Sequence, residues 1–255
     1  ANDFDEAART PYPFDLIRLA ASAVLASGES AAEVTAPLLE GYRARLDEPR
    51  PYILETEFAW LRSQFMATNT MRAAFWADLA ALPPKPQPPQ ATQAALRAAL
   101  PTGAASITFA PRVAGVGSRG RTRFVARATL FSAPLAREAK ALAPSCWTRD
   151  KAYAAVDIMR VARGPHRAPD PHLAVRDGLV IRRLGPDSRK LESKDGALQL
   201  STRLLQAMGG EIANIHATAK PQAAKIAAHV DQTGARAFTK TVARVAEVFR
   251  DARDI

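Results

Sequence analysis

Residues Pro83–Pro89 read Pro-Pro-Lys-Pro-Gln-Pro-Pro. Each proline fixes φ and removes a backbone donor, so this stretch cannot lie inside a helix or a central strand and favours extended polyproline geometry. It reads as a stiff spacer, and the pattern of the chain changes across it. Before it, the periodicity is helical. Phe14–Ser27 is apolar nearly all round, with Arg18 and Ser22 the main exceptions, and predicts a buried helix that Gly28 ends. Glu33–Leu46 and Phe58–Met66 continue as helices, and Met71, Phe75, Leu79 and Leu82 recur at helical spacing. The aromatics among them read as core. After a short helix near Ala91–Ala99 the pattern turns to alternation. Ser106–Ala114 and Thr122–Leu130 predict strands, and Leu135–Leu142, read as a strand, puts Glu138 and Lys140 on one face. Asp150–Val161 looks helical. His172–Arg176 and Leu179–Leu184 pair around Asp177-Gly178, a strong hairpin signal. Leu204, Leu205, Met208, Ile212 and Ile215 mark an amphipathic helix ending near His216. Phe238, Val242, Val245 and Phe249 mark a last one, with Asp231 or Thr233 as its N-cap.

The two strands after the proline run flank Gly115, Gly117 and Gly120, spaced G-x-G-x-x-G. Two nucleotide-binding folds use that spacing. A dinucleotide-binding loop needs a helix directly after the glycines, so that its N-terminus faces the pyrophosphate. Here Arg121-Thr122-Arg123-Phe124-Val125-Ala126 follows and reads as a strand. The glycines therefore sit at a hairpin tip, as they do where a glycine-rich loop covers ATP phosphates. Lys140, on the next strand, stands where such a site needs a phosphate-pairing cation. The same residues also fit an ordinary hairpin with a glycine bulge and a surface lysine.

Charge and composition narrow the classes. Net charge is +10, and 27 of the 35 basic residues are arginine. The arginines are scattered and form no dense run, which weighs against nucleic acid as the partner. The single cysteine, Cys146, excludes an internal disulfide framework, and beside Trp147 it reads as buried. The four histidines show no H-E-x-x-H and no zinc spacing, and His216, at a helix end, reads as structural. There is no G-x-S-x-G. No apolar run approaches the roughly 20 residues of a membrane span, and no signal peptide opens the chain. A cytoplasmic protein without membrane association is expected. Near the start, Asp3 and Asp5 are candidate magnesium ligands, because magnesium takes carboxylate oxygens together with substrate phosphates; a solvated terminus reads equally from the residues.

Several segments together resemble a bacterial family catalogued as domain of unknown function 2252, and more distantly the aminoglycoside-phosphotransferase branch of kinase-like proteins. They are N-D-F-D-E-A (Asn2–Ala7), P-F-D-L-I-R-L-A-A-S (Pro13–Ser22), V-A-G-V-G-S-R-G (Val113–Gly120), R-E-A-K-A-L (Arg137–Leu142), R-A-P-D-P-H-L (Arg167–Leu173), Asp177–Lys190 and M-G-G-E-I-A-N-I-H-A (Met208–Ala217). The resemblance implies ATP and Mg2+ as cofactors. Asp3 matches the metal aspartate that kinases present before a phenylalanine, and Asp5 and Glu6 resemble the second acidic position. Asp15 matches the aspartate that braces the catalytic segment. Gly115, Gly117, Ser118 and Gly120 match the phosphate-covering loop, Lys140 its paired lysine, and Asp157 that lysine's acidic partner.

Two departures shape the expectation. The segments run in rotated order, with the metal aspartates before the glycine loop, which implies a circularly permuted arrangement. The family's G-D-x-H-x-x-N-F segment, which supplies base and second metal ligand, does not occur in these residues; Asp170-Pro171-His172 imitates it, but position 175 is valine. The chain is thus expected to be an α+β, kinase-like two-lobe protein, N-terminally incomplete. Residues 1–82 would form a helical lobe, 83–90 a proline-rich linker, 91–195 a strand-rich lobe and 196–255 helices packing back on the first lobe. It is expected to bind a nucleotide, with an unknown phosphate acceptor, but not to transfer phosphate. An exposed apolar patch near Phe4, Phe14 and Leu16, covered by a second copy in a homodimer, is expected too. The competing expectation is a basic, non-enzymatic module for nucleic acid or an acidic protein partner.

Overall fold

The computed structural model describes residues 7–114, 121–142, 145, 147, 158–187, 200–218 and 220–252. Seven helices and five strands lie among them: α1 (Pro13–Ser27), α2 (Ala31–Asp47), α3 (Ala59–Phe65), α4 (Asn69–Ala80), α5 (Gln90–Ala98), β1 (Ala105–Pro111), β2 (Arg123–Leu130), β3 (Ala133–Ala141), β4 (Ala174–Arg176), β5 (Leu179–Leu184), α6 (Thr202–His216) and α7 (Lys220–Asp251). Residues 158–162 add a further helical stretch between β3 and β4. The protein is α+β, as its change of periodicity implies.

Helices α1, α2, α6 and α7 share one core around Leu16, Leu38, Tyr42, Leu205 and Val242. Pro13 opens α1, where a missing N–H costs nothing, and Gly28 ends it in the left-handed region at φ 76°. Ser30 and Glu33 form a capping box at the start of α2. The α2–α6 crossing depends on glycine. A Cβ on Gly41 would stand 2.0 Å from the Gln206 carbonyl oxygen, and one on Gly209 would stand 2.0 Å from that of Leu38. The two backbones therefore touch where larger residues would hold them apart.

The sequence places the start of the last helix at Asp231 or Thr233. The structure begins α7 at Lys220 and bends it at Gly234, whose φ of 72° and ψ of 153° suit only glycine. Ala223, Ile226 and Ala227 recur at helical spacing and are buried, which explains the earlier start. Asp231 does not cap, because Arg43 holds its carboxylate through Nε at 2.9 Å and Nη2 at 3.0 Å.

The sheet is antiparallel with order β1-β2-β3-β5-β4. The β4–β5 turn is Asp177-Gly178, both at positive φ, as a two-residue hairpin demands. Its two faces are covered differently. Phe109, Phe124, Ala126, Ala139 and Ile181 pack against Ala95 and Leu96 of α5. On the opposite face, Val125, Ala136 and Leu184 pack against Phe75, Trp76 and Leu79 of α4. The proline run thus joins two helices that hold opposite faces of one sheet. Each helix end is held by an arginine from a strand. Arg127 Nη1 donates to the carbonyls of Leu79 at 2.7 Å and Ala80 at 2.8 Å. Arg137 Nε donates to the Ala99 carbonyl at 2.9 Å. Cations at helix C-termini meet both the orphan carbonyls and the negative end of the dipole.

Segments between and after the strands also meet the helices. Trp147 packs on Phe14 of α1, with ring centroids 5.5 Å apart. Arg167 pairs with Glu211 of α6 at 2.5 Å. Asp187, just after β5, accepts from the Ala67 N–H and from Arg72 at the start of α4. Of the apolar patch expected near Phe4, Phe14 and Leu16, the Leu16 part is corrected: Leu16 is fully buried in the helical core, while Phe14 is partly exposed beside an exposed Trp147. Helical spacing turns Leu16 inward, two positions on from Phe14, toward Ala20 and the core. Phe4 lies outside the described residues.

Candidate functional site

Lys140 occupies the eighth position of β3 and is buried. Its directly paired neighbours are Arg123 on β2 and Val180 on β5. Two residues back along β3, on the same face, stands Glu138, paired with Val125 and Arg182. Alternation along the strands therefore sets Arg112, Arg123, Glu138, Lys140 and Arg182 on one face of the sheet. This is the face whose far half α4 covers. The near half lies at the base of the glycine hairpin. There the Arg112 N–H donates to the Arg123 carbonyl, the Ala141 N–H to that of Thr122, and the Leu142 N–H to that of Gly178.

Glu138 is the centre of this half. Its side chain is fully buried. Oε1 accepts from Arg112 Nη1 at 2.5 Å and from Arg123 Nη1 at 3.2 Å. Oε2 accepts from Arg182 Nε at 2.7 Å and from Arg123 Nη1 at 3.3 Å. Burial pushes the Glu138 carboxyl upward, but the Arg182, Arg123 and Arg112 charges outweigh it and hold it below the usual carboxylate range. A buried carboxylate survives only when paired in this way. Three guanidinium groups surround this one carboxylate, and Lys140 stands two residues further along the same face. Arg123 is almost fully buried, and its Nε has no hydrogen-bond partner. Arg112 and Arg182 keep 24% and 34% of their side-chain surface exposed and so remain within reach of solvent.

Sequence reasoning singled out Lys140 and placed Glu138 on its face, but missed the arginine ring. The signal was present. Arg123 precedes Phe124-Val125-Ala126, and Arg182 follows Leu179-Val180-Ile181, each within a strand pattern. An arginine at an inward position of a strand requires an anion close by. Of the other residues singled out, Asp3, Asp5, Glu6, Gly115, Gly117, Ser118, Gly120 and Asp157 lie outside the described residues, as does Cys146. Among the described residues no group of three or more His, Cys, Asp and Glu side chains could hold a metal ion.

A second polar constellation sits in the helical core. The Tyr42 hydroxyl lies 2.8 Å from His216 Nδ1, and His216 Nε2 lies 3.1 Å from Asp15 Oδ2. Tyr42 is fully buried and Asp15 is half-exposed in the first turn of α1. An ionised carboxylate only accepts, so His216 donates from Nε2, and in the neutral ring Nδ1 then accepts from the Tyr42 O–H. Burial first, and the nearby Tyr12 and Asp15 next, push the Tyr42 hydroxyl far above its ordinary pKa. Tyr12 stacks on Tyr42, with centroids 6.2 Å apart, and its own hydroxyl reaches His229 Nδ1 at 2.6 Å. His216 is thus more than a helix-end cation: it joins α1, α2 and α6.

These features define a mixed α+β protein with a helical core and an antiparallel sheet that carries a cation-rich face. Residues 1–78 match the model of a family described as an uncharacterized protein conserved in bacteria, DUF2252. The matched stretch holds α1 to most of α4, including Asp15 and Tyr42; the sheet, Lys140 and His216 lie beyond it. No curated protein and no solved structure matches the chain. No helix among the described residues is long and apolar enough to cross a membrane.

Proposed function

We propose that this chain binds a nucleotide through its phosphates, in a kinase-like arrangement in which the sheet is the phosphate-holding lobe and the preceding helices are the second lobe. The observation that carries the reading is the position of Lys140. It sits on the third strand, on the face at the base of the hairpin that bears Gly115, Gly117 and Gly120, with a cationic neighbour in Arg123. In kinase-like sites a glycine hairpin covers the phosphates and a lysine on the third strand pairs with them. The helical residues 158–162 between β3 and β4 support the same reading, since there a helix after the third strand carries the lysine's acidic partner; Asp157 has that role in this proposal. Asp3 and Asp5 would hold Mg2+, which would bridge phosphate oxygens and neutralise their charge. These 255 residues contain no G-D-x-H-x-x-N-F segment. Binding is therefore the activity expected of this chain, without phosphoryl transfer.

Calorimetric titration with ATP and magnesium tests the reading. Weak, magnesium-dependent binding is expected, with at least a tenfold loss in Lys140→Ala, the order of magnitude for removing one charge-assisted contact. Tight binding of duplex or single-stranded nucleic acid at physiological salt, with no response to ATP, would replace it by the basic-module reading.

A further inference from the structure

We infer that the end of the sheet at the β2–β3 turn is a membrane-contact tip, which seats the Phe131 ring in the surface of an anionic phospholipid bilayer. The inference is independent of the nucleotide reading and uses none of its residues. It departs from the expectation of no membrane association, which rested on the lack of a spanning run; seating one side chain at a surface needs no such run.

Leu130 pairs with Ala133, so Phe131 and Ser132 form a two-residue turn. Their φ values are 48° and 67°. A turn with both central residues in the left-handed region takes Asn-Gly or Asp-Gly by preference. The chain follows that preference at Asp177-Gly178, where φ is 50° and 73°. An aromatic residue is a poor choice for such a position, because positive φ crowds its Cβ. Burial does not offset the strain, since Phe131 is 94% exposed. Neither turn chemistry nor the core accounts for this residue. Strain that folding does not require points to a use outside the fold.

The surroundings indicate which use. No residue from 98 to 111 or from 128 to 136 is charged. The two stretches meet at this end of the sheet, where Ala105 pairs with Thr129. Ala133 and Pro134 beside the turn are exposed, and Leu100, Pro101 and Leu130 partly so. Seating this end among lipid headgroups and acyl chains therefore desolvates no charged group. Behind it, the charged side chains of α5, β1 and β2 are all arginines: Arg97, Arg123 and Arg127. Arg97 is exposed, with its Cζ 5.0 Å from the Phe109 ring centroid. An uncharged tip backed by cations suits a surface that is apolar inside and anionic outside. The net charge of +10 draws the whole chain toward the same surface. The shape agrees, because lipid closes around a projecting turn. Two copies meeting turn to turn would bury little area and bring like charges together.

The test is flotation of the full chain with vesicles of phosphatidylcholine alone, and of phosphatidylcholine and phosphatidylserine in equal parts, for wild type, Phe131→Asn and Phe131→Trp. Wild type is expected to float with the mixed vesicles and far less with the neutral ones. Asparagine accepts positive φ. Phe131→Asn should therefore fold at least as stably as wild type while its partition falls about tenfold, the order for losing one buried aromatic ring. In Phe131→Trp, brominated acyl chains should quench the indole emission beyond the quenching of wild type, since tryptophan settles at the interface. A wild type that stays free of the mixed vesicles overturns the inference. So does an unchanged partition of folded Phe131→Asn, which would leave adsorption by scattered arginines alone. Equal flotation with both vesicle types overturns the assignment of an anionic surface. A dimeric wild type with a monomeric Phe131→Asn in sedimentation equilibrium overturns the inference by giving the tip to a second copy. If Phe131→Asn does not fold, the quenching decides: a gain supports the inference, and no gain overturns it.

Discussion

Tyr42 shows how one hydroxyl can make the fold depend on pH. It is fully buried, its hydroxyl lies 2.8 Å from His216 Nδ1, and its pKa is raised by burial above the ordinary value of 10.0. A folded-state pKa above the unfolded one means that this stabilisation is complete below pH about 10 and is lost as pH rises toward the folded value. Wild type should therefore lose resistance to urea above pH about 10 faster than Tyr42→Phe does. At neutral pH the phenylalanine variant should be less stable by about 1 kcal/mol, because His216 Nδ1 loses its donor. Urea midpoints measured from pH 7 to 11 check both claims; parallel curves would refute the first. Asp15 was legible in the sequence, and His216 was seen only as a helix-end cation. Nothing in local spacing links residues 15, 42 and 216, because their meeting is a product of three helices crossing. The arginines around Glu138 were hidden for a related reason. They come from β2, from β5 and from the residue just after β1, and only the register brings them to one carboxylate on β3.

At the scale of elements, pattern reasoning worked where one face of an element decides its fate. The helices 13–27, 31–47 and 202–216 and the strands on either side of the glycines follow apolar periodicity, which core contact enforces. It worked less well for α7, where small residues carry the buried face and Gly234 bends the helix. It was silent on how elements approach. Met208-Gly209-Gly210 was noticed as a motif, yet its physical use is the contact of α6 with α2. Gly209→Ala should therefore cost about 2–4 kcal/mol, since the new Cβ would strike the Leu38 backbone and the helices must part. Gly28→Ala meets no atom within 4 Å and pays only for its positive φ, about 1 kcal/mol. Thermal denaturation of the two variants separates close approach from backbone strain; equal losses would mean that the α2–α6 contact yields easily.

For the whole molecule, the sequence conveyed the α+β class and the position of the stranded part, because the proline run and the change of period are large signals. It did not convey that α4 and α5 lie on opposite faces of one sheet, since that needs the sheet to exist first. The two helices grip it through Val125, Ala136 and Leu184 on one side and Phe109, Phe124 and Ile181 on the other, and Arg127 and Arg137 latch their ends. The covalent link between them is then redundant with the grip. A specific protease site placed at residues 85–87 should be cut without dispersing the molecule, and the two pieces should co-elute in gel filtration. Pieces that separate would show that the arginine latches and apolar contacts are too weak to hold without the strap. If they stay together, the break between α4 and α5 is a place where this protein can be made as two independently expressed halves that find each other, a split pair whose reassembly rebuilds the sheet's cationic face.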